Sequence, residues 1–177
     1  MREIILPALN ARKGKLDMTD SAKTVAEIID NIRRVFQVVN EYSKKAEKET
    51  GLTGPQLWAI KVISEDAPIK VSDLARRMYL HPATVVGILD RLEARDLASR
   101  TRSLVDRRVV EIELTEKGKD LVVQAPEVAQ GLLVKGLETL PGVKLKLISE
   151  GLEQLVTILG AQEIPPMLIL SQEVNLP

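Results

Sequence analysis

The feature that most constrains the fold is a change of hydrophobic period near Leu97. Over residues 85–92, apolar side chains recur at three- and four-residue steps, which is the spacing of one face of an α-helix. Over residues 110–114, apolar side chains alternate with two glutamates, which is the repeat of a half-buried strand. A partner strand near 98–101 would complete a β-hairpin with its tip at 103–107. The sequence therefore predicts a helix followed directly by a hairpin.

Capping and turn signals divide the segment before this hairpin into three helices. Thr53–Gln56 has the spacing of a capping box that opens the first helix. Ser72 is the predicted N-cap of a short second helix, and Pro82 suits the first turn of the third. Asp96 is expected to close the third helix in the left-handed conformation. The short turn between the second and third helices predicts a helix-turn-helix.

Long amphipathic stripes flank this segment on both sides. The first runs from Asp20 to about Gly51, and the last spans residues 143–159. Between them, Thr115 is a predicted N-cap and Pro126 is expected to kink or break the helix that follows. These stripes are too long for a small winged helix to bury alone, so we expect the terminal helices of two chains to interlock in a homodimer.

The predicted fold class is mainly α with a small β-hairpin wing: a winged helix-turn-helix with N- and C-terminal dimerisation helices. Because an apolar tail is not expected to hang free in water, the apolar run at 167–170 should pack on its own subunit or its partner. The predicted segments are a flexible N-terminal arm (1–19), an N-terminal dimerisation helix (20–52), the winged helix-turn-helix (53–114), C-terminal dimerisation helices (115–160) and a C-terminal tail (161–177).

Composition narrows the range of functions. The 25 basic and 25 acidic residues give a net charge of zero, which argues against binding nucleic acid by bulk charge but leaves room for a local basic patch. The chain has no cysteine and a single histidine, His81, so no thiolate nucleophile, disulfide or multi-histidine metal site is available. Catalysis and cofactors are therefore not expected. The chain also lacks a signal-peptide core and an apolar run long enough for a membrane span, so the expected location is the cytoplasm.

Four stretches of the sequence carry the most specific pattern. They are L-W-A-I-K-V-I at 57–63, V-S-D-L-A-R-R-M at 71–78, H-P-A-T-V-V-G-I-L-D-R-L-E-A-R-D-L-A-S-R at 81–100, and the wing D-R-R-V-V-E-I-E-L-T-E-K-G at 106–118. Together they resemble the MarR family of transcriptional regulators. The resemblance implies a homodimeric winged helix that binds double-stranded DNA at an inverted repeat. It also favours a repressor over an activator. One departure is Asp96, which stands where the family usually has glycine.

The resemblance also indicates which side chains face DNA. Asp106 is expected to position the wing arginine and Arg108 to reach toward DNA, although Asp106 could also serve as a structural clip. The exposed positions expected at the DNA-facing end of the third helix are Ala83, Thr84, Val86 and Gly87. Only Thr84 among them can hydrogen-bond, so direct base contacts should be sparse and DNA shape more important. A solvated surface is the ordinary alternative for such arginines. The predicted DNA-binding residues are Lys70, Ser72, Arg76, Arg77, Ala83, Thr84, Val86, Gly87, Arg91, Arg100, Arg102, Asp106, Arg107 and Arg108.

A cleft between the dimerisation helices and the winged helix is the expected place for an effector. Its predicted walls include Phe36, Val39 and Trp58, and its expected ligand is a small aromatic or apolar anion such as salicylate. The alternative is that these residues belong to the core or the dimer interface. For the whole chain, the competing hypotheses are a winged-helix protein-interaction module without DNA binding and, with less support, an enzyme.

Overall fold

The computed structural model describes residues 18–103, 109–166 and 168. The chain is mainly helical with one small antiparallel sheet, as the sequence predicts. The elements in order are α1 (Met18–Thr50), α2 (Gly54–Asp66), β1 (Ile69–Lys70), α3 (Val71–Arg77), α4 (Pro82–Ala94), β2 (Ala98–Arg102), β3 (Val110–Leu114), α5 (Glu116–Gln124), α6 (Ala129–Glu138) and α7 (Gly142–Ile158). No helix in the described ranges is long and apolar enough to cross a membrane.

The chain divides into two compact units, one up to Gln37 and one from Val38 onward. In the first unit, α1 begins at Met18, so the last two residues of the predicted arm at 1–19 are helical and the remainder lies outside the described residues. Most of the apolar stripe predicted on this part of α1 is exposed within the single chain. Its exposed members are Val25, Ile28, Ile29, Val35 and Phe36, and Ile32 is half-buried.

The core of the second unit lies among α2, α3, α4 and the sheet. The predicted apolar face of α2 is fully buried, and the apolar face of α4 packs with it. Thr53 donates its backbone N–H to Gln56 Oε1 at 3.2 Å, which is one half of the predicted capping box. The core side chains from these helices are Leu57, Ile60, Ile63, Leu74, Val85, Ile88, Leu89 and Leu92.

The sheet has three strands in the order β1-β3-β2, all antiparallel. The predicted hairpin is confirmed, with Arg100 opposite Ile112 in the register of β2 and β3. The strand β1 was not predicted, because two residues are too few to show alternation. Since Lys70 is already extended there, α3 begins at Val71 with Lys70 as its N-cap. The prediction of Ser72 as N-cap was therefore wrong: Ser72 lies inside the first turn.

The C-terminal helices are separated where the sequence predicts a break. The helix α5 ends at Gln124 and α6 begins at Ala129, so Pro126 lies in the connection between them. The helix α7 has no buried residue, and its large apolar side chains are exposed within the chain except for Leu155, which is half-buried. The exposed ones are Val143, Leu145, Leu147, Ile148, Leu152, Val156 and Ile158.

Candidate nucleic-acid interface

One face of the helix α4 packs on the core, and the opposite face is exposed. His81 is its N-cap: the Nδ1 atom accepts a hydrogen bond from the Ala83 backbone N–H at 3.3 Å, and Pro82 follows in the first turn. Because the buried side chains of α4 lie on the core side, Ala83, Val86 and Gly87 remain exposed, while Thr84 is half-buried. This exposed face is almost without hydrogen-bonding side chains, as the sequence predicts.

A left-handed tyrosine forms the turn between α3 and α4. Tyr79 has φ +53°, its N–H bonds to the Arg76 carbonyl at 3.1 Å, and the Leu80 N–H bonds to the Ala75 carbonyl at 3.0 Å. This is the pairing of a Schellman ending, where glycine is usual. The Tyr79 hydroxyl donates to Glu138 Oε1 on α6 at 3.0 Å, and this hydrogen bond to a carboxylate raises the pKa of Tyr79. No motif in the sequence indicated this role for Tyr79.

The cations of α3 differ in their surroundings. Arg76 is exposed and pairs at 3.0 Å with Asp73 one turn earlier, an arrangement that a competing phosphate can displace at low cost. Arg77 instead contacts two carboxylates of α2, Glu65 at 3.0 Å and Asp66 at 3.2 Å. Arg76 is thus available to an external anion, whereas Arg77 joins α3 to α2.

Arg100 fastens the hairpin to α4. Its guanidinium contacts Asp90 at 2.6 Å and Glu93 at 2.7 Å, and it donates to the Val86 carbonyl at 3.2 Å. Its backbone N–H also donates to Glu93 Oε1 at 2.9 Å. With these partners around it, Arg100 acts inside the fold. Whether it also contacts DNA stays a prediction.

The base of the wing rests on the start of α5. Asp96 has φ +58°, the left-handed conformation that the sequence predicts, and its carbonyl accepts from the Thr115 hydroxyl at 2.7 Å. The same Thr115 oxygen accepts from the Gly118 N–H at 3.1 Å, which makes Thr115 the N-cap of α5 as predicted. A Cβ at Gly118 would lie 2.0 Å from the Leu97 carbonyl oxygen, so this approach requires glycine.

The remaining predicted DNA-binding residues lie along the same region. Lys70 is exposed on β1, Arg91 is exposed in the last turn of α4, and Arg102 is exposed at the end of β2. Asp106, Arg107 and Arg108 lie outside the described residues, so their positions stay predictions.

Comparisons with known proteins agree on this region. Residues 52–110 match the family model described as "MarR family". The range covers α2 to the first residue of β3, which are the elements described above. Residues 52–110, called the MarR region below, are therefore similar in sequence to the MarR family.

Proteins similar to this chain include two bacterial regulators of transcription. The chain is 30% identical over 101 residues to the HTH-type transcriptional repressor MdtR of Bacillus subtilis, covering 57% of this chain and 65% of that protein. It is 36% identical over 85 residues to the HTH-type transcriptional regulator MgrA of Staphylococcus aureus, covering 48% and 58%. The chain thus spans less than two thirds of the length of these two relatives. Among solved structures, the transcriptional regulator BldR from Sulfolobus solfataricus is 26% identical with a TM-score of 0.49, covering 81% of this chain and 99% of that one.

A cavity of about 160 Å³ lies between α2 and α6. Trp58, one of the three predicted effector residues, lines it together with Val128, Gly131 and Val134. The other two lie elsewhere: Val39 is buried, and Phe36 is 70% exposed in the first unit.

The cations around this cavity have carboxylate partners. Lys61 contacts Glu127 at 3.5 Å, and Lys135 contacts Glu65 at 3.2 Å. The third cation, Arg77, also pairs with Glu65. An anionic ligand would therefore have to compete with these carboxylates.

Proposed function

We propose that the chain is a sequence-specific regulator of transcription that binds double-stranded DNA as a homodimer. The observation that carries this proposal is the uncovered face of α4, which is the second helix of the helix-turn-helix and is joined to the hairpin by Arg100. A helix presented in this way can enter the major groove of DNA. The match of residues 52–110 to the MarR family supports the same function, and similarity to the transcriptional repressor MdtR favours repression.

The proposed interface combines weak base contact with phosphate contact. Ala83, Val86 and Gly87 can offer only apolar or backbone contact, for instance to thymine methyl groups. Lys70 on β1, Arg76 on α3 and Arg91 on α4 are proposed phosphate ligands, together with the wing residues Arg102, Arg107 and Arg108. Specificity then depends strongly on the shape of the DNA and on the spacing of two half-sites.

The homodimer is supported by the apolar surface that the single chain leaves uncovered. The helix α7 buries none of its apolar side chains, and Leu132, Leu133 and Leu137 of α6 are exposed as well. Contiguous apolar surface of this kind is typical of an interface between subunits. Two recognition helices in such a dimer should face half-sites about one helical turn apart, roughly 34–36 Å.

Selection of bound duplexes from a random DNA library tests this function. The expected result is an inverted repeat whose affinity falls linearly with salt in a log–log plot, because neutralised phosphates release counterions. Recovery of no preferred sequence, together with an affinity that ignores salt, would favour the protein-interaction module instead. Such a module would also tolerate replacement of the wing arginines.

We also propose that a small aromatic carboxylate controls DNA binding. The cavity beside Trp58 gives an aromatic ring an apolar wall, but its cations are paired with carboxylates. We therefore expect salicylate to bind at millimolar levels and to weaken DNA binding only modestly. Calorimetry and DNA titration with and without salicylate test this. Absence of heat and an unchanged DNA affinity would remove this ligand class.

A further inference from the structure

The turn before α4 is joined to α6 by a hydrogen bond that the turn itself does not require. Tyr79 adopts φ +53°, a conformation that glycine reaches at lower cost than a bulky side chain. Its ring is largely exposed, so burial of the ring does not offset this cost. What the side chain gains is the contact of its hydroxyl with Glu138 Oε1 at 3.0 Å.

A second polar bridge runs between the same two parts of the molecule. Glu65 of α2 accepts from Arg77 of α3 at 3.0 Å and from Lys135 of α6 at 3.2 Å. Lys135 and Glu138 lie one turn apart on α6. The helix-turn-helix is thus held to α6 at two points, one through Glu65 and one directly through Tyr79.

The helix α6 packs on α2 with one side and carries exposed leucines on its surface. A Cβ at Gly131 would be 3.3 Å from the Trp58 ring of α2, so this side of α6 packs closely on the MarR region. Leu132, Leu133 and Leu137 of α6 are exposed, and we assign them to the dimer interface. Any shift of α6 in a dimer would therefore move α4 through the Tyr79–Glu138 hydrogen bond and the Glu65 bridge.

We propose that Tyr79 is a positioning residue that sets the recognition helix α4 at a defined place relative to α6 and thereby fixes the spacing of half-sites the dimer accepts. The Tyr79–Glu138 hydrogen bond carries this role, and the Glu65 bridge supports it. The inference rests on the proposed function, because it needs a dimer on an inverted repeat. It assigns a specificity for spacing to residues that need not touch DNA.

The test compares duplexes that differ only in the spacer between half-sites. Affinities are measured for the selected inverted repeat and for versions with the spacer lengthened or shortened by one base pair. Wild-type protein should prefer the selected spacer. In Tyr79→Phe, this preference should fall about threefold to tenfold, the range for loss of one ordinary, solvent-exposed hydrogen bond, while affinity for a single half-site stays unchanged.

Glu138 supplies the second variant, since it is exposed and its replacement leaves the turn intact. Glu138→Ala should reduce the preference as Tyr79→Phe does, and the double variant should lose no more than either single one. Glu138→Gln keeps an acceptor oxygen and should retain most of the preference. Glu116→Ala is the matched control, because it removes an exposed pair with Lys119 on α5 and should leave the preference unchanged.

The outcomes separate this inference from the function on which it rests. Wild-type protein that selects no inverted repeat contradicts the proposed function and the inference together. Wild-type protein that binds an inverted repeat with no preference for its spacer contradicts the inference alone. So does a folded Tyr79→Phe or Glu138→Ala variant whose preference equals that of wild type. A loss of affinity that is equal on every spacer would mean that the contact is merely structural.

Discussion

The MarR region and the helix α7 carry the same kind of apolar periodicity but use it differently. In α4, Leu89 is fully buried by neighbours from its own chain. In α7, Leu152 belongs to an apolar stripe with the same helical spacing, but it is 57% exposed. The difference teaches that helical periodicity predicts a buried face without saying which chain covers it. One region completes its core within the subunit, whereas we propose that the other completes it in a dimer.

The largest expected effect falls on the glycine that lets the wing rest on α5. Gly118→Ala would place a Cβ 2.0 Å from the Leu97 carbonyl oxygen, so the backbone must move. We expect a loss of about 4 kcal/mol in the free energy of unfolding, at the upper end for a single substitution. Chemical denaturation measures it. Gly87→Ala is the control, since an added Cβ there meets no atom within 4 Å and should stabilise the helix by up to about 1 kcal/mol. Equal stability of the two variants would contradict the account of this junction.

A pair of leucines tests the comparison itself. Leu89→Ala should cost about 3 kcal/mol by leaving a cavity in the core. Leu152→Ala should instead raise the dimer dissociation constant at least about tenfold, since one buried leucine contributes about 1.5–3 kcal/mol. Sedimentation across a range of protein concentrations separates the two effects. A Leu152→Ala protein that associates as wild type does would remove Leu152 from the interface.

Two arginines sharpen the distinction between holding the wing and binding DNA. Arg100→Ala removes the contacts to Asp90 and Glu93 and should cost about 1–2 kcal/mol of stability. Arg108→Ala should leave stability unchanged, weaken DNA binding and lower the salt slope by about one unit. Denaturation and DNA titrations at several salt concentrations measure both. The reverse pattern, with Arg100 changing only the salt slope, would mean that Arg100 contacts phosphate.

The smallest expected effect is a gain. Asp96 has φ +58°, a conformation that costs an aspartate more than a glycine. Asp96→Gly should therefore stabilise the protein by about 0.5–1 kcal/mol, less the entropy that glycine adds to the unfolded chain. Thermal unfolding at one fixed protein concentration measures this. A lower melting temperature would show that the Asp96 side chain stabilises the turn.

The sequence predicted the parts of the fold that depend on local pattern. The helix-turn-helix, the hairpin, the break at Pro126 and the left-handed Asp96 all follow from spacing, proline or capping. The strand β1 escaped notice because its pairing with β3 is set by the tertiary fold. A short strand of this kind leaves no period to detect.

The candidate site was less predictable because charged side chains choose partners in three dimensions. Arg77 and Arg100 were predicted as DNA ligands from their position in a basic stretch, yet both contact carboxylates from other elements. The left-handed conformation of Tyr79 was not predicted, since tyrosine is not a residue that usually adopts it. Pattern alone indicates where positive charge lies but not which charges are already paired.

The mass of the complex on one selected inverted repeat tests the central claim most directly. Sedimentation of the protein with this duplex should give two chains per duplex, and a duplex with a single half-site should bind far more weakly. A single chain that binds one half-site as tightly as the full repeat would contradict a homodimer built on the uncovered helices.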